Sequence, residues 1–259
     1  MSNTLIVFHR CGGKSLGYPP NTLLTIKWAL SYGAKAIEYD IVFCEDNNKD
    51  KIIVVEPKVL KKANLDINNL KWQNVLKLNA GNDKFGYQKV PELEEVLGSA
   101  PDIHHQIHIK GNHPQTVSTL LQKLEEKSNF VITSFDIQIL KQIKKINNIV
   151  RVGWLVKPKQ ERRNEGLTDL TALVTANPEA LPTYSLDELN KILNQAKVNL
   201  IDIVILCAPR IKEKIIVDTV KKNQIECGAW GVGTNIVIAK RLIDYNIDRF
   251  TIDNPEELI

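Results

Sequence analysis

The chain has 259 residues, 43% of them hydrophobic and 25% charged, with a formal net charge of +4. That length and composition support a full hydrophobic core and exclude a disordered or membrane-embedded chain. The mild basic excess favours an anionic small molecule as ligand. No Lys/Arg stripe interleaved with aromatics stands out, so nucleic acid is not an expected partner. The four cysteines, Cys11, Cys44, Cys207 and Cys227, lie far apart without zinc-ligand spacing, and reduced buried thiols are expected. No apolar run approaches the roughly 20 residues of a membrane span, and the N-terminus enters a strand without a secretory signal, so a cytoplasmic location is the expectation.

In chain order, Leu5 to Phe8 is a short apolar run that ends in His9-Arg10-Cys11-Gly12-Gly13 and reads as a buried strand. Thr22 is placed to cap a helix from Leu23 to Tyr32, and Gly33 to stop it. Ala36 to Cys44 is a second strand carrying Glu38 and Asp40 at i and i+2, which lie on one face. Carboxylates flanked by Ile37 and Ile41 are costly to bury unpaired, so a metal or another cation partner is implied. Lys51 to Val55 is another strand, ending at Glu56-Pro57. Residues 57–89 read as a loop-rich excursion with one or two helical turns. A helix starts near Val90-Pro91, with acids in its first turn.

From Ile103 to Lys110 a strand places Gln106, His108 and Lys110 on one face. His104, His105 and His113 read as ordinary surface or loop residues. Helices near 114–127, 137–146, 186–196, 211–222 and 235–245 alternate with strands near 130–134, 151–156, 200–206, 225–230 and 249–252. A second excursion, 157–185, carries a weak helical patch over Leu167 to Val174. Eight strands separated mostly by helices predict a single α/β domain over 1–259 with the (β/α)8 TIM-barrel fold. Its strand ends at the C-terminal face gather His9, Arg10, Glu38, Asp40, His108, Lys110, Ser134 and Trp230.

These motifs resemble the glycerophosphodiester phosphodiesterase family. The family opens with His-Arg-Gly, then Pro-Glu-Asn-Thr, then Glu-x-Asp; the chain has His9-Arg10-Cys11, Pro19-Pro20-Asn21-Thr22 and Glu38-Tyr39-Asp40. Val90-Pro91-Glu92-Leu93-Glu94-Glu95, Thr133-Ser134-Phe135-Asp136, Trp230 and Thr251-Ile252-Asp253-Asn254-Pro255 match later marks in register. The resemblance implies metal-dependent hydrolysis of a glycerophosphodiester, or a related phosphodiester, to a phosphomonoester and an alcohol, in lipid metabolism. It implies His9 as an acid/base, Arg10 and Lys110 on phosphate, Trp230 at the substrate, and Glu38 and Asp40 as ligands of Mg2+ or Ca2+, with Mn2+ as the alternative.

The departures fall inside the site. The family's second catalytic histidine is replaced by Glu56, and its third metal carboxylate by His108. One expectation is an exchange of roles, Glu56 joining the metal and His108 becoming the second proton carrier. The alternative is a catalytically impaired relative that binds a phosphorylated metabolite or a protein partner.

Overall fold

The computed structural model describes residues 4–158 and 178–259. Nine strands form one sheet in the order β1-β9-β8-β7-β6-β5-β4-β2-β3, and β1 also pairs with β2. They are β1 (Leu5–Phe8), β2 (Ala36–Cys44), β3 (Lys51–Val54), β4 (His104–Ile109), β5 (Phe130–Ser134), β6 (Val152–Leu155), β7 (Ile203–Cys207), β8 (Glu226–Trp230) and β9 (Arg249–Ile252). The eight strands other than β3 close into a parallel barrel with helices between them, the (β/α)8 fold that the β-then-α rhythm predicts. The exception, β3, runs antiparallel to β2, with Ile41 opposite Val54. It forms a hairpin on the outside of the rhythm, because the polar Glu45–Asp50 turn is too short to carry a crossover helix.

The helices are α1 (Leu23–Ser31), α2 (Pro57–Lys62), α3 (Trp72–Val75), α4 (Leu93–Ser99), α5 (Thr116–Lys123), α6 (Ile137–Ile146), α7 (Leu186–Val198), α8 (Lys214–Lys222) and α9 (Ile236–Asp244). Thr22 caps α1 by accepting from the Thr25 amide at 3.2 Å. Glu92 and Glu95 close a capping box at the start of α4. The weak helical patch expected over Leu167 to Val174 lies outside the described residues.

By contact density the chain forms two compact units. One comprises residues 1–6 and 135–252, and the other residues 7–134 and 253–259. The second unit contains the excursion at 57–89. It carries α2 and α3 and closes on a core of its own, in which Leu60, Leu70, Val75, Leu78, Ala80 and Val90 pack with Val42, Cys44, Ile53 and Val55. That burial explains how so long a connection holds a defined path.

Candidate active site

The site is built on the second unit. Strand β2 is buried along its whole length, and its period of two divides it between two faces. Tyr39 points to one face, where its hydroxyl meets His105 Nδ1 at 3.1 Å. Glu38 and Asp40 point to the other, only 3% and 1% exposed. The parallel register with β4 sets Asp40 beside His108 and Glu38 beside Gln106. His108 Nδ1 consequently lies 3.5 Å from both Glu38 Oε1 and Asp40 Oδ1.

The chain leaves β1 through a tight turn, His9–Cys11, in which Arg10 and Cys11 take left-handed φ values of 50° and 71°. Both are unfavourable for residues with a Cβ, and the turn brings the backbone inward. The Arg10 amide thereby donates to Glu38 Oε2 at 2.9 Å. The Arg10 guanidinium pairs with Glu56 and reaches Asp40 Oδ2 with Nε at 3.4 Å. Asn21, itself left-handed at φ 59°, donates from Nδ2 to the same Asp40 oxygen at 3.4 Å. Lys110 Nζ approaches Asp40 Oδ1 to 3.3 Å.

His9 is oriented by a residue that the sequence reading left without a role. Its Nδ1 lies 2.5 Å from Asp253 Oδ1, while its Nε2 faces Glu38 Oε2 at 3.8 Å. Lys14 Nζ holds the other Asp253 oxygen at 2.8 Å. The signal for Asp253 was its place directly after the last strand, since β9 is the neighbour of β1 in the closed sheet.

Glu56 occupies the N-cap position of α2 without a side-chain capping bond, its carboxylate turned instead toward cations: Oε1 to Arg10, and Oε2 to Lys58 Nζ at 2.8 Å. Thus the two substituted positions face different partners, Glu56 the cations Arg10 and Lys58 and His108 the acidic pair. Trp230 belongs to the first unit. There its indole N–H donates to the Val156 carbonyl at 3.1 Å, and its ring stands edge-on to Phe135.

One reading needs correction. His105 is not a surface residue: it is 3% exposed on β4, bonded through Nε2 to the Ala100 carbonyl at 2.8 Å. Alternation on a strand buried on both faces hides it from a pattern search. His113 is partly covered, stacked on Phe43 with ring centroids 4.0 Å apart.

The electrostatics follow from this packing. Burial works against a charge on His9, but Glu38 and the bonded Asp253 outweigh it and hold the imidazole above its ordinary 6.5. Burial pushes the Glu38 carboxyl up, yet His9 and His108 draw it down to about 2. Burial, aided by Lys110, depresses the His108 pKa.

The donor set fits a divalent cation. Glu38, Asp40 and His108 each offer one atom, and these atoms lie within 4.8 Å of one another. Asp40 has Arg10 and Lys110 against it, whereas Glu38 has no Lys or Arg side chain in salt-bridge contact among the described residues. Two buried carboxylates and an imidazole offering atoms this close together are a donor set that a divalent cation would match.

Comparison with known proteins identifies the family. The model of the glycerophosphoryl diester phosphodiesterase family matches residues 9–257. The chain belongs to that family. Solved structures of the family superpose on it over nearly the full length. A Galdieria sulphuraria protein provisionally described as a glycerophosphodiester phosphodiesterase is 19% identical, with 98% of this chain and 96% of that one covered and a TM-score of 0.74. The glycerophosphodiester phosphodiesterase of Thermotoga maritima is also 19% identical, with the same coverage and a TM-score of 0.69. A phosphodiesterase of Oleispira antarctica, solved with the product sn-glycerol-3-phosphate, is 14% identical over 98% and 94% of the two chains, with a TM-score of 0.73. No curated protein sequence matches the chain. Among the described residues no helix is long and apolar enough to cross a membrane.

Proposed function

We propose that the protein hydrolyses a glycerophosphodiester, or a related phosphodiester, to glycerol 3-phosphate or its equivalent and a free alcohol. The observation that carries this reading is the His9–Asp253 pair set against Glu38, with Nδ1 engaged and Nε2 turned to the acidic centre. Hydrolysis adds water across a P–O bond, and the departing oxygen needs a proton. His9, held protonated by its two carboxylate neighbours, delivers that proton from Nε2 and recovers one from the attacking water. Arg10 and Lys110 offset the charge that grows on the phosphoryl oxygens. Glu38, Asp40 and His108 are the residues that would hold a divalent ion. When bound, such an ion supplies Lewis-acid polarisation of a phosphoryl oxygen.

For Glu56 the geometry favours a role on the cation side, as a counter-charge to Arg10 and Lys58, over a place among the ligands. That same contact favours a second reading, a relative that binds a phosphorylated metabolite without turning it over, because the phosphate-type arginine already holds an internal anion.

The deciding experiment is release of glycerol 3-phosphate from a panel of glycerophosphodiesters with Mg2+, Ca2+ and Mn2+ in turn, and with His9→Ala as control. Metal-dependent release that His9→Ala abolishes supports hydrolysis. Absence of release from every substrate, with glycerol 3-phosphate still bound, supports the binding reading.

A further inference from the structure

We infer that the nitrogen of His108 sets the identity of the bound ion, turning the site toward divalent transition ions such as Mn2+, Fe2+ and Zn2+ and away from Ca2+ and Mg2+. The inference rests on the reading of Glu38 and Asp40 as ligands, and it adds a third ligand of different chemistry.

Four features of the chain support it. First, the His108 ring is placed by the β2–β4 register rather than by surface choice, with its residue only 5% exposed. Second, Nδ1 stands equidistant, at 3.5 Å, from one oxygen of each carboxylate. Ions with bonds of about 2.1 Å hold tetrahedral ligands roughly 3.4 Å apart, so both nitrogen–oxygen distances already have ligand spacing.

Third, the opposite oxygen of each carboxylate is engaged elsewhere. Glu38 Oε2 accepts from the Arg10 amide, and Asp40 Oδ2 meets Asn21 and the Arg10 guanidinium. These outer contacts leave Glu38 Oε1 facing His108, and Asp40 Oδ1 facing both His108 and Lys110 Nζ at 3.3 Å, as supporting shells orient ligands at metal centres. Fourth, the alternative carboxylate near the centre, Glu56, has both oxygens turned to Arg10 and Lys58. The set is therefore two oxygens and one imidazole. Ca2+ and Mg2+ favour oxygen donors and gain little from a nitrogen, whereas imidazole suits the transition ions.

The test is made on the full chain stripped with a chelator, by titration calorimetry with Mn2+, Mg2+ and Ca2+ separately. Wild type is expected to bind Mn2+ at least tenfold more tightly than Ca2+, and His108→Glu to reduce that ratio by tenfold or more. Pulsed electron paramagnetic resonance of the Mn2+-loaded protein is expected to show coupling to a histidine nitrogen, changed by 15N-histidine labelling and lost in His108→Glu. His108→Asn serves the same comparison should the glutamate variant fail to fold. The wild-type isotope experiment needs no variant.

Nitrogen coupling that survives the His108 substitutions, or is absent from wild type, overturns the inference. So does an unchanged Mn2+/Ca2+ ratio. None of these readouts uses catalysis, so a protein that binds Mn2+ through His108 but releases no glycerol 3-phosphate upholds the inference and defeats the hydrolytic reading alone.

Discussion

Glu56 lays one carboxylate oxygen against the guanidinium of Arg10 and the other 2.8 Å from Lys58 Nζ. An anionic side chain therefore already holds the cation that the family resemblance assigns to phosphate. On the proposed function, a phosphodiester entering the site has to compete with it.

Replacing Glu56 by Gln removes the internal anion and leaves Asp40, among the described residues, as the carboxylate in salt-bridge contact with Arg10. Glycerol 3-phosphate is expected to bind Glu56→Gln about tenfold more tightly, which corresponds to about 1.4 kcal/mol. The unliganded variant is expected to be less stable than wild type, because a buried pair loses one member. Thermal unfolding with and without glycerol 3-phosphate checks both, since the ligand should raise the midpoint of the variant more than that of wild type. An equal rise in both proteins rules the competition out.

Asp253 and Glu38 raise the His9 pKa above its ordinary 6.5. In Asp253→Asn the charged partner is lost, so the His9 pKa falls. A rate that needs protonated His9 then keeps its value only at lower pH. The alkaline limb of kcat/KM should move to lower pH, and the rate at neutral pH should fall by on the order of 100-fold. A reduced rate with an unshifted limb would assign Asp253 to positioning alone.

Gly12 has φ 81° and ψ −162°, a conformation open essentially to glycine. A Cβ there would come within 2.9 Å of Trp28 Cζ3 and 3.1 Å of Phe8 Cδ2. Gly12→Ala is expected to lose about 1–3 kcal/mol, read from urea denaturation. It should also lower activity, since this glycine follows the turn that aims His9 and Arg10. Full stability in the variant would show that the ring of Trp28 yields freely.

His105 supplies a pH dependence independent of the acidic centre. Its burial lowers its pKa below the ordinary 6.5. Between the folded value and 6.5 the unfolded chain binds the proton and the folded one does not. Stability is therefore complete above 6.5 and declines as pH falls from there toward the folded value, by at most about 1.4 kcal/mol per pH unit. Urea denaturation from pH 7 to pH 5 should show a shallower decline for His105→Gln than for wild type. Parallel declines would exclude this histidine as the source.

Much of the fold was legible because local patterns carry it. Apolar runs of four to nine residues alternating with amphipathic helices admit few arrangements other than a parallel barrel. The Glu38/Asp40 pair was legible for the same reason: a period of two fixes their common face whatever their neighbours. Asp253 was not assigned a role, because nothing in Thr251-Ile252-Asp253 announces a histidine 244 positions earlier in the chain. His105 was misplaced because two consecutive histidines on a strand suggest one exposed face, while the packing of Tyr39 and the Ala100 carbonyl buries one of them.

The sequence by itself determined the β-then-α rhythm, the common face of the carboxylate pair on its second strand and the His-Arg end of its first, since each follows from short-range periodicity. Only the tertiary structure decided which groups the two rewritten positions face. Parallel pairing of β4 with β2 carries His108 to Glu38 and Asp40, whereas the antiparallel hairpin of β3 delivers Glu56 to Arg10 and Lys58. Those partners depend on strand register and chain direction between segments far apart in sequence, which no local pattern encodes.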